Sequence, residues 1–221
     1  MENNHLRSRF DEGLVQLGVS LPAGAVQKLL TFQTELLRWN QKVNLTAIVD
    51  EEEFLEKHLL DSLAILPDAE SAESVLDLGS GAGLPGVPLA VALPGMKVTL
   101  VDAVAKKVAF IKHAIALLAL APRCRAVHQR VQGHPTREGI PLANLVICRA
   151  LMDVPAWLRL ATPYIAEGGR AAAMLGRASD EGELGRSAAE AGYSLEAVRA
   201  FRLPFSGAQR AIALFRPTST A

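Results

Sequence analysis

Val75-Leu76-Asp77-Leu78-Gly79-Ser80-Gly81-Ala82-Gly83-Leu84-Pro85-Gly86 is the stretch whose reading decides the fold of this chain. Val75 to Leu78 reads as a short strand running into glycines, and a helix opens near Pro85 to Pro88. Val98-Thr99-Leu100-Val101-Asp102 is the next strand, with an acid at its carboxyl end. Strand, glycine loop, helix, strand and acid form the skeleton of an adenosine-binding site. The glycines let the backbone turn tightly and approach a ligand, and the carboxylate can accept hydrogen bonds from both ribose hydroxyls. Gly81 and Asp102 are 21 positions apart, near the roughly 20 expected of such a site.

The alternation continues on the carboxyl side. A helix is expected from about Val104 to Leu120, strands near Ala126–His128 and Leu145–Cys148, and a helix from Pro155 to Ile165. Gly168-Gly169 reads as a turn, Arg170 to Leu175 as a strand and Asp180 to Ala191 as a helix. Two last strands, Leu195–Arg202 and Arg210–Phe215, read as an antiparallel hairpin. This pattern predicts an α/β fold with a mostly parallel sheet covered on both faces. On the amino side the first 66 residues read as helical. Pro22 can open a helix carrying Val26, Leu29, Leu30, Leu36 and Leu37, with Trp39 near its end. Asp50 with Glu53 resembles a capping box before a stripe of Phe54, Leu55, Leu59, Leu63 and Leu66. The expected division is a helical extension, 1–70, and an α/β domain, 71–221.

The glycines admit two ligands. Gly81-Ala82-Gly83-Leu84-Pro85-Gly86 matches the G-x-G-x-x-G of dinucleotide enzymes, so an NAD(P)-dependent oxidoreductase must be weighed. The series begins earlier, however, at Gly79, and Asp77 precedes it, where a carboxylate suits a cationic methionyl group and offers nothing to a pyrophosphate. Pro85 and Pro88 lack the N–H that a phosphate would use. These features favour S-adenosylmethionine as cofactor, and by themselves they leave a small-molecule or protein methyltransferase on the same fold as an alternative to one that acts on RNA.

Composition sets the compartment and the partners. Half the residues are hydrophobic and 21% are charged, as in a foldable globular chain. No secretory leader or membrane-length apolar run is visible, and two cysteines make neither a disulfide framework nor a zinc site, so a cytoplasmic protein without metal is expected. The net charge is zero, but residues 1–70 carry −6 and residues 71–221 carry +6. Lys106, Lys107, Lys112, Arg123, Arg125 and Arg130 stand against Asp102 alone within 100–130, a local excess that attracts phosphates.

Arg149 follows an apolar strand and is expected at the rim where open α/β sheets bind ligands. Val131 and Gln132 follow the third strand and border the expected adenine position. His58 and Asp61 share a helix face. No third ligand accompanies them, and a lone histidine on a leucine-burying helix is more often structural than catalytic. Trp39-Asn40 and Asn44-Leu45-Thr46 either close a turn over the site or cap backbone groups.

Several of these segments together resemble the RsmG (GidB) family of bacterial small-subunit rRNA methyltransferases. Trp39-Asn40 with Asn44-Leu45-Thr46 is similar to the family's W-N-x-x-x-N-L-T element. Lys57-His58-Leu59-Leu60-Asp61-Ser62 is similar to its R-H-x-x-D-S helix, and Asp77 to Gly86 to D-x-G-[ST]-G-x-G-x-P-G. Asp102 to Phe110 resembles D-S-x-x-K-[RK]-x-x-F, and Arg149-Ala150 resembles the S-R-A element. Arg210 and the last strand resemble the basic ending.

The resemblance implies a class I methyltransferase fold and methylation of a guanine N7 in 16S rRNA, with the small subunit or a precursor particle as partner. It implies cofactor contacts at Gly79, Leu84, Asp102, Val131, Gln132 and Arg149, beside Asp77, Gly81 and Gly83 of the loop. RNA contacts are expected at Lys106, Lys107, Arg123, Arg125, Arg177 and Arg210. His58 and Arg149 are the candidates for a catalytic role, with no obligatory base, and the enzyme is expected to act as a monomer. Leu175 stands where the family carries lysine, Cys148 where it carries serine, Lys57 for the helix arginine and Arg216 for the terminal lysine.

Overall fold

Alternation of side chains decides the sheet. In β1 (Ser74–Leu78) Val75 faces one apolar cluster and Leu76 and Leu78 the other, the period-two pattern of a strand buried on both faces. The computed structural model describes residues 2–149, 153–176 and 180–218. Around β1 lie β2 (Lys97–Asp102), β3 (Cys124–His128), β4 (Ala143–Arg149), β5 (Ile165–Leu175), β6 (Tyr193–Arg202) and β7 (Gln209–Pro217). The seven strands run in the order β3-β2-β1-β4-β5-β7-β6. The first five are parallel, and β7 pairs antiparallel with both β5 and β6. Strand order reverses between β1 and β4, so the rim there opens a crevice for ligands.

Helices α1 (Glu2–Leu17), α2 (Ala25–Val43), α3 (Glu51–Phe54), α4 (Asp61–Leu63) and α5 (Leu66–Ala69) precede the sheet. Between α3 and α4 the chain widens into a π-helical turn, Leu55–Leu60. Phe10, Leu29, Phe32, Leu36, Leu55 and Leu59 join α6 (Gly86–Ala92) and α7 (Ala105–Leu117) in one apolar cluster on one face of the sheet. The helical extension is therefore packed into the same core as the strands. The other face is covered by α9 (Val154–Ala161), which follows the short α8 (Pro135–Glu138), and by α10 (Glu181–Glu190), through Trp157, Leu158, Leu184 and Ala188. No helix among the described residues is long and apolar enough to cross a membrane.

The structure shows the mostly parallel α/β sheet, the antiparallel ending and the helical amino end that the sequence pattern predicts. Three local expectations are corrected. The second helix begins at Ala25 behind Gly24, and not at Pro22. Asp50 does cap α3, accepting from Glu53 N at 2.8 Å, but the Glu53 carboxylate turns to Lys57 Nζ at 2.6 Å and leaves the box half made. Gly168-Gly169 is not a turn between elements but an excursion inside β5. Ala143 pairs with Ile165 and Leu145 already with Arg170, so β5 carries extra residues. Gly168 takes φ +71°, and a Cβ on Gly169 would lie 2.9 Å from Asn144 O.

Candidate active site

The glycine loop is shaped by two carboxylates, one at each end. Gly79 N and Ser80 N both donate to Val101 O, at 2.9 and 3.0 Å, which folds the chain back over β2. Gly79, Gly81 and Gly83 all lie in the left-handed region, at φ +77°, +57° and +88°, where a side chain is strained. Asp102 Oδ2 accepts from Gly81 N at 2.9 Å and its Oδ1 from Val104 N at 2.8 Å. Asp77 Oδ2 accepts from Gly86 N at 2.9 Å, and a Cβ on Gly86 would stand 2.8 Å from that oxygen. The first N–H of α6 is thus already taken by an acid, which leaves a phosphate little to bind there. Asp77 is 1% exposed and sits behind the loop, not on the cavity wall. Nothing lies within 4 Å of a Cβ built on Gly81, so backbone space is left for a ligand beside Asp102.

A second group of side chains meets the loop across the rim. The helical extension ends α2 at Asn44, in the left-handed region at φ +53°. Asn40 then ties the next turn down: its Oδ1 accepts from Leu45 N and Thr46 N at 2.6 and 2.9 Å, and its Nδ2 donates to Thr46 O at 2.9 Å. Asn40 is therefore a backbone cap, and the turn it holds places Leu45 and Thr46 on the cavity wall. Thr46 Oγ1 lies 2.7 Å from His58 Nε2 in the π turn. Arg149, the last residue of β4, donates from Nη1 to Lys57 O at 3.1 Å and to Asp61 Oδ2 at 3.2 Å, and from Nη2 to His58 Nδ1 at 3.2 Å. His58 Nδ1 also lies 3.1 Å from Lys57 O, so both ring nitrogens are engaged, Nε2 by Thr46 and Nδ1 by the carbonyl and the guanidinium. Arg210 Nε approaches Asp61 Oδ1 at 3.4 Å from the other side.

Glycine loop, extension and rim arginines enclose a cavity of about 420 Å³. Its wall includes Gly79, Gly81, Leu84, His58, Asp61, Arg149 and Arg210, with Met174, Leu175 and Phe201 on the far side. Burial holds His58 down at about 4, and Arg149 adds to that, so the imidazole is neutral near pH 7. Burial raises the Asp61 carboxyl, and Arg149 and Arg210 oppose the rise. Burial pushes Asp77 up to about 7; Gly86 N–H and then Arg149 work against it, while Asp102 reinforces it.

These shifts predict two opposed pH dependences. Between about pH 4 and 7 the folded chain keeps an Asp77 proton that the unfolded chain, at its ordinary 3.8, has lost, so stability falls as pH rises. Between 6.5 and about 4 the unfolded chain binds a His58 proton that the folded chain refuses, so stability falls as pH drops. Each slope approaches about 1.4 kcal/mol per pH unit at most, and the two cancel in part over the shared window. Urea unfolding from pH 4.5 to 6.5 should show stability rising with pH in Asp77→Asn and falling with pH in His58→Gln. The same profile in both variants would contradict this assignment.

The remaining expected residues separate into two groups. Gln129 N donates to Asp102 O at 3.1 Å and lays the loop with Val131 and Gln132 along the carboxyl end of β2. Gln132 N already donates to Glu138 Oε1 at 3.0 Å, leaving its exposed side chain for a ligand. Lys106 and Lys107 lie in the first turn of α7, beside Asp102. Arg123 and Arg125 do not join them, because they sit at the amino end of β3, opposite the rim. Arg123 points its guanidinium at the carbonyls of Ala90, Leu93 and Met96, where it ends α6 and the turn after it. Arg125 is turned to Thr99 Oγ1 and Gly139 O. Arg177 lies outside the described residues.

Sequence reading missed Glu56, a buried acid that accepts from Phe205 N and Ser206 N, both at 2.7 Å, and locks the extension to the β6–β7 connection. It also missed the Glu35 carboxylate, whose Oε1 gathers Trp39 Nε1 at 3.0 Å and His113 Nε2 at 2.7 Å and fastens α2 to α7.

Comparison with known proteins places this arrangement in a family. The family model described as rRNA small subunit methyltransferase G (GidB) matches residues 25–212. Ribosomal RNA small subunit methyltransferase G of Myxococcus xanthus (strain DK1622) is 51% identical over 215 residues, covering 97% of this chain and 99% of that protein. The protein of the same name from Anaeromyxobacter sp. (strain Fw109-5) is 48% identical over 207 residues, covering 94% and 95%. Among solved structures, the S-adenosylmethionine-dependent methyltransferase SibL superposes with TM-score 0.58 at 19% identity, covering 88% of this chain and 69% of that one. A SAM-dependent methyltransferase from Thiobacillus denitrificans, in complex with S-adenosyl-L-homocysteine, gives TM-score 0.53 at 13% identity, covering 71% and 91%. The fold is that of the class I methyltransferases, and the chain belongs to the rRNA small subunit methyltransferase G (GidB) family.

Proposed function

We propose that this chain transfers a methyl group from S-adenosylmethionine to N7 of a guanine in 16S rRNA, acting as a cytoplasmic monomer on the small ribosomal subunit or a precursor particle. One observation carries the position. Among the described residues that line the cavity, no side chain is free to remove a proton: both His58 ring nitrogens are engaged, and Asp61 is held between two guanidiniums. Guanine N7 carries an in-plane lone pair and no proton, so it needs alignment and exclusion of water, not a base.

S-adenosylmethionine, when bound, supplies a methyl group activated by a positively charged sulfur. The residues present fit it. Gly79, Gly81 and Leu84 line the cavity, Gly83 lets the loop close onto Val87, Asp102 accepts from the ribose, Val131 and Gln132 border the adenine, and Arg149 faces the reacting end. Asp77 serves from behind, holding the loop through Gly86 N. The extension, residues 1–70, covers the site of the methyltransferase domain, residues 71–221. Incubation with labelled S-adenosylmethionine and small subunits from cells lacking the protein should place label in rRNA. Label confined to protein or to a small molecule would overturn the reading.

RNA affinity is proposed to rest on Lys106 and Lys107. Two lysines in the first turn of α7, which has no side-chain cap, oppose the helix dipole at a cost of a few tenths to about 1 kcal/mol each. Phosphate contacts would offset that. The double variant Lys106→Ala, Lys107→Ala should bind small subunits more weakly. Its plot of log affinity against log salt should be shallower by about 1 to 2. An unchanged slope would remove these lysines from the interface.

A further inference from the structure

The cavity extends past the region assigned to the methyl donor. Following the strand order β1-β4-β5-β7 along the rim, the glycine loop comes first, then Arg149, then Met174-Leu175-Gly176, and last Arg210-Ala211. Arg149 commits its donors to Lys57 O, His58 and Asp61. Arg210, at the far end, is fixed differently. Its Nε faces Asp61, and Nη1 donates to Gly176 O at 3.1 Å and Gln209 O at 2.9 Å. Among the described residues Nη2 has no hydrogen-bond partner. The wall beside it is apolar, made by Met174, Leu175, Phe201 and Ala211.

An apolar wall with one oriented donor at its edge suits the face and edge of a single purine. Such a base must leave its stack to reach the methyl donor. We propose that this half of the cavity receives the extruded target base and that Arg210 selects guanine by donating from Nη2 to O6. Arginine commonly meets guanine through O6 and N7 together, but N7 must stay free to attack, which leaves O6. Adenine presents an amino donor at the same place and is repelled by the guanidinium N–H. Asp61 and the carbonyls of Gly176 and Gln209 fix the guanidinium, so Arg210 acts as an aimed hydrogen-bond donor and not as a mobile phosphate clamp. This inference rests on the guanine-N7 reading above.

The test uses small subunits reconstituted with 16S rRNA that carries either guanine or 2-aminopurine at the target position; the latter keeps N7 and lacks O6. Single-turnover methylation under kcat/KM conditions is compared for the wild-type chain, Arg210→Ala and Arg210→Lys. The wild type should favour guanine on the order of 10- to 100-fold. Arg210→Ala should lose about that factor on guanine and almost nothing on 2-aminopurine, with an unchanged salt slope. Arg210→Lys, which keeps the charge without the fork, should lose most of the discrimination and serves where thermal melting shows the alanine variant unfolded. Equal losses on both templates, or a salt slope reduced by about 1, would overturn the O6 contact while leaving the methylation reading intact. A wild-type chain that methylates neither template at N7 would overturn that reading and this inference with it.

Discussion

Asp102→Ala should bind S-adenosylmethionine at least roughly 100-fold more weakly by calorimetry. Both carboxylate oxygens already accept backbone N–H groups, from Gly81 and Val104, and each retains a lone pair for a ribose hydroxyl. A hydrogen bond to a charged group contributes about 1.5–3 kcal/mol. Losing two of them therefore costs about 3 kcal/mol or more, which is the factor of 100. The variant also leaves Gly81 N and Val104 N without their acceptor, so the loop should loosen and stability should fall by about 1–2 kcal/mol. Asp102→Asn keeps the shape but has a single acceptor oxygen, so it can satisfy only one of Gly81 N and Val104 N and should lose both affinity and part of the stability. Unchanged affinity in Asp102→Ala would remove the carboxylate from the ribose.

Arg149→Met should lower unfolding stability by about 3 kcal/mol and abolish methyl transfer. The side chain links β4 to the extension through three acceptors, and its removal leaves Asp61, 6% exposed, with Arg210 as its remaining cation. Breaking a buried ion pair by deleting one partner costs about 3–5 kcal/mol; the remaining arginine keeps the expectation at the lower bound. Removing the guanidinium also removes one of the causes that hold His58 down, so the imidazole should titrate at higher pH in a folded variant, as followed by NMR. A loss below about 1 kcal/mol in urea unfolding would show that the extension is held by its apolar contacts and not by this rim.

The parts of the site read from sequence were those whose chemistry is local. The glycines, Asp77 and Asp102 declare themselves because a tight loop between two strands needs those residue types at those places. The sheet was legible for the same reason: the near-continuous apolar runs in Val75–Leu78 and Val98–Asp102 mark strands buried on both faces. What stayed hidden depends on contacts far apart in the chain. Glu56 looks like one more acid on an amphipathic helix, and nothing nearby reveals that Phe205 N and Ser206 N reach it. Arg123 looks like its basic neighbours, yet the carbonyls of Ala90, Leu93 and Met96 claim it. His58 and Asp61 could be placed on one helix face, but only β4 and β7 bring the arginines that give them a role. Gly168-Gly169 misled because glycine pairs mark turns and strand excursions equally well.

The most direct test of the whole account is the position of the methyl group. Small subunits from cells lacking the protein are methylated with labelled S-adenosylmethionine, and their 16S rRNA is then treated by reduction and aniline, which cleaves the chain at N7-methylguanine. Label and cleavage at the same single guanine are expected. Labelled RNA that resists cleavage would contradict N7 as the position.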